Sequence, residues 1–268
     1  MRIGFIGTGA MASAIARGAV AAGFSGSDLM FADRHHKAAE DLADELGGIA
    51  LASNRQVAEQ SDLLVLAVKP HVQSEVIREI REIVLFAKEL CVISIAAGRT
   101  TEQICSDFCA AIPLIRVMPN VNAQIGQSMS ALYPIGTTDD QLAAARKLLD
   151  SVGQTIILDE KYFPIFTAIG SSSPAWVFRM IDAIAEAGVN HGLTKADATR
   201  IVAQAFLGSA QLLLKGLDDG QVPSQLVDRV CSPGGTTIAG LLAAQDAGLS
   251  SALVAAVNAA VERDHHLG

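Results

Sequence analysis

The sequence predicts an α/β protein in which a doubly wound sheet is followed by an all-helical domain. Short apolar runs alternate with helix-like segments through the first 160 residues, and no strand-like run follows residue 160. We therefore expect an α/β domain at residues 1–160 and an all-helical domain at residues 161–268.

The expected strands of the first domain are short apolar runs. One of them, LLVLAV, is uninterrupted, which is typical of a parallel strand covered on both faces. The eight runs are residues 2–6, 29–32, 49–52, 63–68, 91–97, 114–118, 128–134 and 155–159. The helix-like segments between them follow Gly9, cover residues 35–46, open at Asn54, cover residues 72–84 and cover residues 139–153.

The second domain consists of apolar helices. The segments are residues 171–188, 194–214, 223–231, 236–248 and 250–264. Ser171 to Ser173 and Pro174 are typical of a helix start, and Thr194 is a suitable N-cap. Several helices are apolar around most of their circumference, so they need burial on more than one side. This pattern indicates association between subunits.

Composition excludes several classes of function. The net charge of −8 and the pI of about 5.2 argue against a nucleic-acid partner. No apolar run of the length needed to cross a membrane occurs, so no membrane contact is expected. The four cysteines form no CxxC pair, and we expect buried thiols in a reducing cytoplasm and no metal site.

The first glycine-rich turn matches G-x-G-x-x-G/A. It comprises Gly7, Thr8, Gly9, Ala10, Met11 and Ala12, and it follows directly on Ile6. Such a turn between a strand and a helix lets the backbone approach a pyrophosphate at the helix N-terminus. We therefore favour dinucleotide binding in a Rossmann-type domain over a plain tight turn.

Residues at the ends of later strands bear on the choice of cofactor. Asp33 lies at the spacing of a ribose-binding acid, which favours NAD, whereas the adjacent Arg34, with Lys37, favours the 2′-phosphate of NADP. Both are present, so the residues leave the choice open. Lys69 is either a contact of the cofactor or an ordinary loop lysine. Asn54 is either an adenosine contact or the N-cap of its helix.

Six stretches resemble the pyrroline-5-carboxylate reductase family. They are FIGTGAMASAI, LAVKPH, SIAAG, IRVMPN, SSSPAWVF and LVDRVCSPGGTTIAGL, in the family's order from residue 5 to about residue 242. The last is the most specific, because SPGG before a threonine pair is not general among Rossmann proteins. The resemblance implies a small-molecule substrate, 1-pyrroline-5-carboxylate, reduced to L-proline. It implies a homodimer through the C-terminal helices and a possible ring of dimers.

The resemblance also assigns site residues. The cofactor would be NADP(H), with NAD(H) as the alternative, and would contact Ile6 to Met11, Arg34, Asn54, Val68, Lys69, Pro70, Ala96, Ala97 and Gly98. The substrate would contact Ser232, Gly234, Gly235, Thr236 and Thr237. Thr237 is the residue expected nearest the chemistry, as an orienting group for the ring nitrogen.

The chain departs from the family pattern in two places. The family usually reads SGSGPAY where this chain has IGSSSPAW, so Ser173 replaces a glycine and Trp176 a tyrosine. MPNTP becomes MPNVN, with Val121 and Asn122. We expect the added bulk to alter the local shape of the substrate site.

The second glycine turn, CSPGGTTIAG, has two readings. Its backbone N–H groups at the start of a helix offer a site for the substrate carboxylate. Alternatively, Ser232 merely caps the helix and the glycines turn the chain. The local pattern supports the two interpretations about equally, and the resemblance favours the carboxylate site.

Two other functions remain as alternatives. A β-hydroxyacid dehydrogenase would carry a lysine near the domain junction, but residues 171–190 contain none and Arg179 is their one basic residue. A non-catalytic nucleotide-binding dimer is opposed by the intact strand-end motifs.

Overall fold

A computed structural model describes residues 1–87 and 89–266. By packing, the described residues form two units: residues 1–172 together with residues 259–266, and Ser173–Asn258. The domain boundary expected at residues 160 and 161 stays a prediction. Leu267 and Gly268, the end of the predicted helical domain, lie outside the described residues.

The first unit contains a sheet of eight strands within the described residues, in the order β3-β2-β1-β4-β5-β6-β7-β8. The strands are β1 Ile3–Ile6, β2 Leu29–Ala32, β3 Ile49–Ala50, β4 Leu63–Leu66, β5 Cys91–Ser94, β6 Leu114–Met118, β7 Ser128–Ile135 and β8 Gly153–Ile157. Neighbours from β3 to β6 are parallel, β7 runs antiparallel to β6, and β8 is parallel to β7. The expected doubly wound sheet is confirmed.

The apolar runs form strands because both faces of the sheet are covered. Along β4, Leu63 and Val65 pack in one core and Leu64 and Leu66 in the other, with a period of two. Phe5 stacks on Phe31 of the adjacent strand with ring centroids 5.5 Å apart. Each such fully buried side chain stabilises the fold by roughly 1.5–3 kcal/mol.

Six helices flank this sheet. They are α1 Ala10–Ala21, α2 His36–Leu46, α3 Asn54–Gln60, α4 Pro70–Phe86, α5 Thr101–Phe108 and α6 Asp139–Asp150. Buried residues of α1, α2 and α6 join one core, and those of α3, α4 and α5 join the other. The interpretation of Asn54 as the N-cap of its helix is wrong, because Ser53 caps α3 and accepts a hydrogen bond from the Gln56 N–H.

Helix α5 is absent from the sequence-based prediction. Thr100 and Gln103 form a reciprocal capping box at its start. The T-x-x-Q spacing was therefore the signal that could have revealed this helix.

The remaining helices are α7 Phe163–Phe166, α8 Ser173–Asn190, α9 Lys195–Leu217, α10 Pro223–Val230, α11 Thr236–Asp246 and α12 Leu249–His265. A π-helical segment, Thr167–Ser172, joins α7 to α8 without a break. The expected helix start with serine caps at Ser171 is therefore wrong, because that serine already lies inside a helical run. The N-cap expected at Thr194 is confirmed, since its hydroxyl accepts from the Asp197 N–H.

The four cysteines differ in exposure. Cys91 is buried, Cys105 and Cys231 are partly buried and Cys109 is exposed, so the expectation of buried thiols is wrong for the last three. Burial raises the pKa of the Cys91 thiol to about 12. Among the described residues, no three His, Cys, Asp or Glu side chains are grouped to hold a metal ion.

No single described helix is both long and apolar enough to span a membrane. Helices α11 and α12 meet that test only as a pair, and they are bent by 52° at their junction.

Candidate active site

The crevice of the first unit lies where the strand order reverses, between β1 and β4. Ile6 and Leu66 pair across these strands, so the loops that follow them lie side by side. In open α/β sheets this position at the carboxyl ends of the strands is where ligands bind.

The glycine turn after β1 is shaped by close backbone contacts. Gly7 has φ of +96°, and a Cβ there would lie 3.0 Å from the carbonyl of Ala67, so this position requires glycine. A Cβ on Gly9 would meet nothing within 4 Å. Gly9 is the N-cap of α1 with no side-chain hydrogen bond and no acid in the first turn. This uncapped helix start fits a pyrophosphate.

Asp33 at the end of β2 is bound to the glycine turn. Its Oδ2 accepts from the Thr8 N–H at 2.8 Å and from the Thr8 hydroxyl at 3.1 Å, and its Oδ1 accepts from the His35 N–H at 2.9 Å. Burial acts to raise the pKa of Asp33, but these hydrogen bonds outweigh it and leave the pKa below its usual value. Asp33 therefore stays ionised and fixes the turn.

Two cavities flank this turn. The first, about 570 Å³, is lined by the ends of β1 and β2, by Asn54 at the start of α3 and by Glu79 of α4. The second, about 450 Å³, is lined by the start of α1, by Ile95 to Ala97 after β5, and by Pro119 and Asn120 after β6. Gly9 and Ala67 to Lys69 line both, so the cavities are adjacent along one crevice.

In the first cavity, Arg34 is exposed and has no ion-pair partner among residues 1–87 and 89–266. The next basic residue, Lys37, is engaged with Asp41 at 2.8 Å. Asn54 donates from Nδ2 to Oε2 of Glu79 at 2.7 Å. Among the residues that the structure describes, the cavity therefore presents two cations without a carboxylate partner, Arg34 and Lys69, and one oriented amide.

The second cavity contains residues that the sequence analysis did not single out. Asn120, which is buried, accepts from the Asn122 N–H at 3.0 Å and donates from Nδ2 to the Gly170 carbonyl at 2.9 Å. Ser171 donates to the Pro119 carbonyl at 2.8 Å. These bonds join the loop after β6 to the π-helical segment. The position of Asn120 two residues after the end of β6 was the signal that could have pointed to it.

Most of the expected cofactor residues come together in this crevice. Those that line a cavity are Ile6, Gly7, Gly9, Ala10, Met11, Arg34, Asn54, Val68, Lys69, Pro70, Ala96 and Ala97. Thr8 and Gly98 line neither. Thr8 turns toward Asp33, and Gly98 has φ of +73° in the turn after β5. The roles of all these residues stay predictions.

The second glycine turn lies in the other unit. Gly234 has φ of +66°, a left-handed conformation that favours glycine, and the Gly235 N–H bonds the Ser232 carbonyl at 3.0 Å. Gly235 is the N-cap of α11, which has no side-chain cap and no acid in its first turn. Ser232 therefore does not cap the helix, and Thr237 is exposed in the first turn. The first-turn N–H groups lack a side-chain partner.

Arg179, the basic residue of α8 near the junction, takes part in surface ion pairs. Its Nη1 lies 2.7 Å from Asp182 and 3.8 Å from Glu186. A guanidinium engaged in this way does not replace the lysine that a β-hydroxyacid dehydrogenase would need.

The largely parallel sheet, the uncapped α1 N-terminus and the crevice at the strand-order reversal define a Rossmann-type oxidoreductase that uses a pyridine nucleotide. A curated relative, the pyrroline-5-carboxylate reductase of Methanosarcina acetivorans, is 34% identical over 269 residues, which cover 100% of this chain and 98% of the relative. The chain belongs to the pyrroline-5-carboxylate reductase family.

Family models and solved structures agree with this assignment. A model described as pyrroline-5-carboxylate reductase dimerisation matches residues 160–267, and one described as NADP oxidoreductase, coenzyme F420-dependent, matches residues 2–98. The pyrroline-5-carboxylate reductase structure from Coxiella burnetii aligns with a TM-score of 0.92 and 32% identity, covering 100% of this chain and 98% of that one. A Plasmodium falciparum pyrroline carboxylate reductase with NADP bound aligns with a TM-score of 0.87 and 26% identity, with the same coverage.

Proposed function

We propose that this chain reduces the cyclic imine 1-pyrroline-5-carboxylate to L-proline with a reduced nicotinamide nucleotide. The observation that carries the proposal is that this member of the family has two glycine turns, each at the start of a helix without a side-chain cap. One opens onto the crevice of the sheet, and the other begins α11 with its N–H groups uncapped. The first suits a pyrophosphate and the second suits a small carboxylate.

In this proposal the substrate carboxylate binds at the start of α11. The backbone N–H groups of Gly234, Thr236 and Thr237 and the positive end of the helix supply the attraction, without a basic side chain, whereas the Gly235 N–H is already bonded to the Ser232 carbonyl. An exposed site of this kind is worth roughly 0.3–1 kcal/mol from the helix dipole, in addition to the hydrogen bonds. The carboxylate thereby fixes the position of the ring.

Thr237 orients the imine. Its hydroxyl oxygen, in the first turn of α11, accepts a hydrogen bond from the iminium N–H and holds the C=N bond in one orientation. A protonated imine is already electrophilic, so the site needs no strong general acid. The bound nicotinamide supplies the hydride. The residues of this chain contribute binding and orientation, which together lower the barrier by several kcal/mol.

NADPH is the proposed donor, with NADH as the weaker alternative. The carboxylate oxygens of Asp33 are occupied by Thr8 and the His35 N–H, so Asp33 is committed to the glycine turn. Arg34 lines the same cavity without an ion-pair partner in the described part of the chain. An unpaired guanidinium matches a 2′-phosphate.

A homodimer through the C-terminal helices is the proposed assembly. Large apolar side chains remain exposed on the helical unit, among them Phe178, Ile201 and Leu214. Unpartnered apolar faces of this kind are typical of subunit interfaces. A ring of dimers extends the same proposal, and light scattering on the purified protein would distinguish the two sizes.

One assay tests the proposed reaction against the alternatives. Purified protein is mixed with NADPH or NADH and pyrroline-5-carboxylate, and the nicotinamide absorbance is followed. Oxidation that depends on the imine is the expected result. Activity only with a 3-hydroxy acid and NAD(P)⁺ would indicate a dehydrogenase. Tight cofactor binding without turnover of either substrate would indicate a non-catalytic dimer.

A further inference from the structure

The contact between Asn54 and Glu79 lies at the wall of the first cavity. Asn54 is the first residue of α3, and Glu79 lies on α4. Both side chains line the cavity, together with Asp33 and Arg34. The Asn54 Nδ2 donates to Oε2 of Glu79 at 2.7 Å.

This contact fixes which way the Asn54 amide faces. The Glu79 oxygen accepts this hydrogen bond, so the amide nitrogen of Asn54 faces Glu79. The carboxamide oxygen is then on the other side of the group. Asn54 therefore presents its carboxamide oxygen as an acceptor to whatever occupies the cavity beside it, and the second N–H of Nδ2 is the one donor that the side chain keeps.

An acceptor at this position calls for a donor on the ligand. The adenosine half of a pyridine nucleotide offers ribose hydroxyls as donors. In NADPH the 2′-oxygen carries the phosphate, so the 3′-hydroxyl is the remaining ribose donor in that half. It is also present in NADH.

We infer that Glu79 is a positioning residue for cofactor binding: it holds the Asn54 amide so that Oδ1 accepts a hydrogen bond from the adenosine 3′-hydroxyl. The inference rests on the proposed pyridine-nucleotide function, and it assigns Glu79 a role that acts through Asn54. The packing of the two helices does not depend on the Glu79 side chain alone, because Arg55 also donates to the Glu79 backbone carbonyl at 3.0 Å.

The main test is Glu79→Ala, with NADPH affinity measured by fluorescence titration of the whole protein. Loss of the orienting carboxylate should weaken NADPH binding by roughly two- to tenfold, the worth of one ordinary hydrogen bond. In turnover assays, the KM for NADPH should rise while kcat stays near that of the wild type. Glu79→Gln keeps an acceptor oxygen for Nδ2 and should restore most of the affinity.

Glu75→Ala is the matched control. Glu75 is an exposed acid on the same helix, one turn earlier, and does not line the cavity. Its removal changes the net charge by the same amount and should leave NADPH affinity within twofold of the wild type. An equal loss of NADPH affinity in the Glu75 and Glu79 variants would show that the effect comes from the change in net charge, and it would overturn the inference.

Two comparisons, a double mutant and a cofactor analogue, decide whether Glu79 acts through Asn54. In an Asn54→Ala background, Glu79→Ala should weaken binding no further. With 3′-deoxy NADPH, the wild type should lose affinity and the Glu79→Ala variant should lose little more. Additive losses in either comparison would overturn the inference. The titrations measure binding, so failure of the proposed imine reduction would be recognised separately, by normal affinity without turnover.

Discussion

At the scale of single residues, Thr237 is the sharpest test of the proposed site. Thr237→Ala removes the hydroxyl that we propose holds the iminium nitrogen. A hydrogen bond to a charged group is worth about 1.5–3 kcal/mol, so kcat/KM for the imine should fall roughly 10- to 100-fold. The measurement is steady-state imine reduction, alongside NADPH affinity by fluorescence, which should be nearly unchanged.

Thr237→Ser serves as the control for this change. It keeps the hydroxyl and should retain most of the activity. Wild-type turnover in the alanine variant would remove Thr237 from the reacting site. A matching loss in both variants would indicate a role for the methyl group instead.

Arg34 tests the choice of cofactor. Arg34→Ala should raise the KM for NADPH roughly tenfold or more and leave the KM for NADH nearly unchanged, because only NADPH carries the 2′-phosphate. Lys37→Ala is a suitable control, since Lys37 is already engaged with Asp41. If both cofactors weakened equally in the Arg34 variant, the contact with the 2′-phosphate would be refuted.

At the scale of elements, the helical run from α7 to α8 is continuous because a distant loop donates a hydrogen bond to one of its backbone carbonyls. Pro174 has no N–H, so the Gly170 carbonyl four residues earlier cannot receive the ordinary helical hydrogen bond. Asn120 supplies the missing donor to that carbonyl. The π-helical segment Thr167–Ser172 accommodates the same break in the regular pattern.

Asn120→Asp should therefore destabilise this part of the first unit. The new carboxylate can still accept from Asn122 but cannot donate to Gly170, so a backbone carbonyl loses its partner. We expect a loss of about 1–3 kcal/mol in the free energy of unfolding, measured by urea titration. Because Asn120 lines the second cavity, imine reduction should also slow.

Asn122→Asp is the comparison for that change, since Asn122 contributes only its backbone N–H to this cluster. Its unfolding midpoint should stay near that of the wild type. Equal stability of the Asn120 and Asn122 variants would show that the bond to Gly170 contributes nothing measurable.

Local signals predicted most of the elements. The apolar runs of β1, β2 and β4 are buried on both faces, so composition alone located them. Contacts between distant residues escaped prediction. Thr101 at the start of α5 donates to Glu160 through its N–H at 2.7 Å, and nothing near Thr101 in the sequence indicates this partner. The antiparallel direction of β7 likewise depends on pairing, which composition does not encode.

The residues of the candidate site likewise divide into those that local sequence predicted and those that depend on distant contacts. The glycine turn after β1 and the residues at the ends of β4 and β5 were predictable, because parallel strands place their following loops at one edge. Asn120 and Ser171 were not assigned a role, since their place in the second cavity depends on hydrogen bonds across about fifty residues of chain. The commitment of Asp33 to Thr8 also required coordinates, because the sequence spacing fits a ribose contact equally well.

At the scale of the whole molecule, the exposed apolar faces of the helical unit should control assembly. Phe178 is 59% exposed, and Phe178→Glu should shift the protein toward monomers in size-exclusion chromatography with light scattering, because a charge in an apolar interface is costly. Phe86→Glu provides a matched control in the sheet unit, where Phe86 is 86% exposed. It should leave the dimer intact. An unchanged mass for the Phe178 variant would place the interface elsewhere.

The return of the chain to the first unit at Ala259 has a consequence for biosynthesis. The nucleotide-binding unit includes residues from both sides of the helical unit, and Asp264 is buried there. A ribosome therefore releases the whole of Ser173–Asn258 before the last part of the sheet unit emerges. Residues 259–266, the end of α12, can therefore pack in the sheet unit only after Ser173–Asn258 has been translated. The final packing step of the sheet unit must follow translation of the helices, when their apolar faces are already available to a second nascent or finished copy.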